Sequence, residues 1–111
     1  RLTIVTRDYE EPSGEPVPSE PFVISVYGPD RNDIVATFSH IFGAQQINIS
    51  SMRAFPIGEG SSMQVFEVSI PTDLDTRSLH RVLLERAKSL GLSLTMQHRD
   101  IFEAVHRVTV I

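Results

Sequence analysis

The chain has 111 residues, 41% of them hydrophobic and 22% charged, with a formal net charge of -4 and no cysteine. That length supports one self-sustaining domain, the composition excludes a disordered chain, and the acidic balance argues against direct binding to nucleic-acid phosphates. No disulfide framework, thiolate nucleophile or zinc-thiolate site is open to it, no apolar run approaches the roughly 20 residues of a membrane span, and no signal-peptide pattern opens it, so the cytoplasm is the expected compartment.

Residues 1–9 carry the β-branched density of a strand, and "LTIVTRD" (Leu2 to Asp8) recurs as "LTMQHRD" (Leu94 to Asp100), both reading L-T-x-x-x-R-D. The first copy is therefore expected to be the final strand of a preceding repeat. Residues 10–21 hold four of the seven prolines with several acids and read as a linker. The main domain is expected over 22–111.

Within it, "FVISVY" (Phe22 to Tyr27) predicts a strand stopped by Gly28-Pro29. Ile34, Val35, Phe38, Ile41 and Phe42 recur at helical spacing, with Gly43 expected in the left-handed position beyond the helix end. "INISSMRAF" and "MQVFEVSI" predict two strands joined through the glycines of "PIGEGSS". From Asp75, the apolar series Leu79, Val82, Leu83, Ala87 and Leu90 predicts a second helix ended by Gly91, and "LSLTMQH" a last strand. The order βαββαβ implies an α+β, ferredoxin-like fold: a four-stranded antiparallel sheet with two helices on one face. Past His98, "RDIFEAVHRVTVI" is compatible with helix, strand or both.

The densest polar chemistry is "GPDRNDIV" (Gly28 to Val35), where a strand hands over to a helix. One reading makes Asp30 the helix cap, Asp33 a complement to the helix dipole and Arg31 a solvated charge. The other uses the same groups to hold a small charged ligand, the helix-start N-H donors taking a carboxylate and a nearby acid an ammonium. Asn48, at the opening of a strand, is a further polar group within the second reading. His40, His80, His98 and His106 show no metal-ligand spacing, and no nucleophile elbow, phosphate loop or dinucleotide fingerprint occurs, so no cofactor, metal or enzymatic activity is expected. Arg77, Arg81 and Lys88 share a helix face expected to be solvated.

The succession of a strand, "GPDRNDIVATFSHIF" and "INISSM" resembles the ACT domain, whose pattern is G-x-D-R-P-G-I-V followed, after the helix, by an I-N-I strand. With the trace of an earlier repeat and the tail "QHRDIFEAVHRV", it is most similar to the tandem ACT proteins of the glycine cleavage system transcriptional repressor family. The resemblance implies a non-enzymatic regulator that senses an amino acid, glycine or serine being candidates, and acts through a DNA-binding regulator protein as a homodimer. It implies a ligand site at Asp30, Arg31, Asn32, Asp33, Ile34, Asn48 and Ile49. The chain departs from the pattern at Asn32-Asp33, where the family has Pro-Gly, so a carboxylate stands in the space the family leaves for ligand. Two alternatives stay open: a ligand-free ACT module for association, and a regulatory domain of an amino-acid or folate enzyme.

Overall fold

The computed structural model describes residues 18–110, with side chains through 104. The expected strand at 1–9 and most of the linker lie outside the described residues. The elements are β1 (Ser19–Pro29), α1 (Ile34–Ala44), β2 (Asn48–Pro56), β3 (Ser61–Pro71), α2 (Thr76–Ser89), β4 (Ser93–His98) and α3 (Arg99–Val110). The strands form one sheet in the order β2-β3-β1-β4, every neighbouring pair antiparallel. This is the βαββαβ arrangement with a third helix appended.

Alternation along the strands divides the sheet into two faces. Ile24 and Val26 of β1 lie opposite Phe66 and Gln64 of β3 and Met96 and Leu94 of β4. On this face pack Ile34, Phe38 and Phe42 from α1 and Leu79, Leu83 and Ala87 from α2, forming the main core. Phe42 meets Phe66 edge-on with ring centroids 5.4 Å apart. The nine largest sealed core side chains, at about 1.5–3 kcal/mol each, supply the dominant stabilisation. Two polar side chains lie buried on this face of β3: Gln64 gives Nε2 to Ser62 Oγ at 3.4 Å, and its Oε1 has no partner among the described residues.

Several expected boundaries move. β1 begins at Ser19, inside the stretch read as linker, and runs through Gly28-Pro29, because its full length pairs with β3. Gly43 lies inside α1, and the left-handed residue is Gln46, with φ 59°. The reason is the closing hydrogen bonds: Ile47 N-H reaches Phe42 O at 2.8 Å and Gln46 N-H reaches Gly43 O at 3.0 Å, which fixes the reversal three residues later than expected. α2 ends through the same pattern, Leu92 N-H to Ala87 O at 2.8 Å, with the expected Gly91 in the left-handed position. The undecided tail is helical. α3 packs on β1 and β4, and its Phe102 stands with Ser25, Tyr27 and Thr95 on the sheet face opposite α1 and α2. Among the described residues no helix is long and apolar enough to cross a membrane.

Candidate functional site

The turn between β1 and α1 is anchored at the backbone. Asp30 N-H donates to Gly60 O at 2.8 Å, tying the turn to the β2–β3 hairpin. Gly28, just before it, has φ 151°, and a Cβ there would stand 2.8 Å from Leu92 Cδ2, so only glycine lets the chain leave the sheet this close to the end of α2.

One of the two readings of the turn made Asp30 the cap of α1, and it is not. The cap position falls to Asp33, whose C=O accepts the first helical bond from Thr37 at 2.9 Å, while no side chain caps the helix start. The Asp33 carboxylate turns instead to Arg31, which donates from Nε to Oδ1 at 2.8 Å and from Nη2 to Oδ2 at 2.9 Å. The hydrogen bond from Arg31 holds the Asp33 carboxyl below its ordinary pKa, partly opposed by desolvation. The contrast with α2 is local: there Asp75 accepts from Arg77 N-H at 3.0 Å and Ser78 N-H at 3.3 Å and holds the Ser78 hydroxyl at 2.9 Å. An arginine two residues earlier is what draws Asp33 away from the same role.

Asp30, Arg31, Asn32 and Asp33 line a solvent-open concavity of about 580 Å³. No side chain caps the N-H groups of the adjoining helix start, and Arg31 and Asp33 set one charge of each sign on the concavity. Ile34 is buried in the core and does not line the concavity.

The remaining expected residues are elsewhere. Asn48 pairs with Ser69, which pairs with Pro21, whereas the turn leaves the sheet at Pro29. Along a strand that separation is roughly 25 Å. Asn48 is exposed, and Ile49 packs against the core. Within one chain, therefore, the expected set divides into five residues, Asp30 to Ile34, at one end of the sheet and two at the other. The helix connection dictates this: α1 carries the chain back along β1, so β2 starts level with the start of β1. The Asp30–Gly60 tie went unforeseen from sequence; the glycines of the hairpin were its only signal.

Of the histidines, His98 stands 2.7 Å from Glu20 Oε1 through Nε2, its ring edge-on to Phe22 at 5.3 Å. Arg77, Arg81 and Lys88 are exposed, as the helix pattern predicts.

Comparison with known proteins converges on one family. The ACT domain profile matches residues 20–97. A UPF0237 protein of Pyrobaculum aerophilum is 31% identical over 86 residues, 78% of this chain and 96% of its own length. A UPF0237 protein of Neisseria meningitidis is 34% identical over 89 residues, again 78% of this chain and 96% of its own. Among solved structures, an ACT domain protein from Streptococcus pneumoniae superposes with TM-score 0.67 at 22% identity, covering 78% of this chain and 97% of that one. A putative glycine cleavage system transcriptional repressor superposes with TM-score 0.70 at 14% identity, covering 79% of this chain and 51% of that one. At these identities the two structures speak to the fold alone.

Proposed function

This chain belongs to the ACT domain family, and from that premise we propose that it is a regulatory module sensing a small amino acid such as glycine or serine. The observation that carries the proposal is the uncapped start of α1 next in chain to the Asp30–Asp33 concavity and its Arg31–Asp33 pair. The amino-acid carboxylate takes the helix-start N-H groups, and its ammonium takes the Asp30 carboxylate. Asn48 enters such a site only from a second copy, so the reading includes a homodimer that brings the β2 start of one chain to the turn of the other. In its full form the module acts in the cytoplasm, without catalysis, through a DNA-binding regulator of glycine cleavage or amino-acid metabolism. This part rests on the sequence resemblance at the turn, and the putative repressor, of which the chain spans about half, shares the fold.

Calorimetric titration with glycine and serine, on wild type and Asp33→Gly, tests the reading. Binding by wild type that strengthens in the variant is expected, since the substitution restores the ligand space of the family pattern. Loss of binding in Asp33→Gly would instead make its carboxylate a ligand contact. Silence from both proteins leaves a second reading, a ligand-free association module, which the Arg31–Asp33 self-pairing and the exposed β2 edge favour. A role as the regulatory part of a folate enzyme rests on weaker ground. The superposition with a formyltetrahydrofolate deformylase from Pseudomonas putida covers 28% of that chain at 16% identity.

A further inference from the structure

The sheet face opposite α1 and α2 is only half covered. α3 packs on β1 and β4, while β2 on the same face presents Arg53 and Phe55 to solvent. Register places Phe55 level with Met63 and Tyr27, and Arg53 level with Val65 and Ser25. Between α3 and β2 this leaves a trough of about 600 Å³, within the range of small-molecule sites. Its floor is apolar, with Val65 buried at 6% exposure and Met63 half-buried. Phe55 walls one side and Phe102 the other, with Tyr27 between them.

Its cation is Arg53. Among the described residues only Nη2 is engaged, with Glu67 Oε2 at 3.3 Å, and the side chain is 64% exposed, which leaves the rest of its planar donor set toward solvent. Glu67 does not line the trough.

We infer that this trough is a second ligand site, distinct from the β1–α1 turn, for a small amphipathic carboxylate with a flat apolar body. The body lies on Val65 and Met63 between the rings of Phe55 and Phe102. The carboxylate takes the open donors of Arg53, a charge-assisted contact at the trough's rim where water is partly excluded. The polar groups of Thr95 and Gln97 along the α3 side orient substituents on the ligand ring.

The probe is 1-naphthoate, titrated into the whole chain and followed by amide chemical shifts, with uncharged 1-naphthamide as control. Saturable shifts at Val65, Met63 and Phe102 are expected, with affinity falling about tenfold for the amide and for Arg53→Gln. Phe55→Ser is expected to weaken both probes alike. Arg53 and Phe55 are exposed on an edge strand, so neither variant depends on refolding a core. Three results overturn the proposal: shifts absent or confined to other surfaces, equal affinity of acid and amide, or movement of the same amides with protein concentration alone, which would assign the face to another copy. Glycine and serine report at the turn, so failure here is separable from failure of the sensing reading.

Discussion

Arg31 and Asp33 are locked to each other by two parallel hydrogen bonds, two residues apart and at the mouth of α1. The bond depresses the Asp33 pKa, so its stabilising contribution is present above the ordinary carboxylate range and is lost as pH falls through the lowered folded value. Carboxylate NMR is expected to show Asp33 titrating below that ordinary range in wild type and moving back up in Arg31→Gln. The stability difference between the two proteins should narrow as acid protonates Asp33. An Asp33 titration unchanged by the substitution would remove the pair as the cause.

At Asp75 the first cause of the lowered pKa is the Ser78 hydroxyl, followed by the Ser78 amide. Ser78→Ala is expected to raise the Asp75 pKa while leaving it below normal, because the backbone donors of Arg77 and Ser78 remain. The same carboxylate titration reads it.

Gly28→Ala places a methyl 2.8 Å from Leu92 Cδ2 on backbone at φ 151°. A loss of about 1–3 kcal/mol is expected in denaturant unfolding. Gly91→Ala, where a methyl meets open space, should lose less, about 1 kcal/mol, from its left-handed φ alone.

Two substitutions near the end of α1 are expected to stabilise. Gln46→Gly relieves a left-handed non-glycine residue, and Gly43→Ala fills a helical position with nothing within 4 Å of the new methyl. Each should add about 0.5–1 kcal/mol. Were Gly43 the left-handed residue, its alanine variant would destabilise, so the sign decides the matter.

Gln64→Met exchanges a buried, half-satisfied carboxamide for an apolar chain of similar size. A gain of about 1 kcal/mol is expected, since the unpartnered Oε1 no longer has to be desolvated. A loss in thermal unfolding would show that the oxygen is satisfied.

The layer architecture was readable because Phe38 and Phe42, Leu79 and Leu83, and the alternating residues of β3 each repeat at the period of their own element. The helix end at Gln46 was not, since glycine preference pointed to Gly43 while hydrogen bonding chose the residue that lets Ile47 turn back into the core. At the turn, sequence located the charged residues but not their partners: Asp30 and Asp33 both suit a cap, and the Arg31 contact that decides between them is a matter of side-chain geometry. The distance from Asn48 to the turn follows from topology once α1 is seen to return the chain along β1. The tail was ambiguous because short amphipathic stretches fit either period, and only the half-open sheet face gave α3 a place to pack.

The register of β2 slips between Ile49 and Ser51, leaving Ser50 without a partner. This single extra residue lets Ile49 join the core while Arg53 and Phe55 emerge on the far face. Were the strand to run regularly through Ser50, everything after it would invert, turning Arg53 and Phe55 toward the helices and Met52 and Ala54 outward, whereas deleting Ser50 would iron out the bulge and keep both faces. The chemistry of that surface is thus inherited through how the ladder seats one spare residue as much as through residue identity.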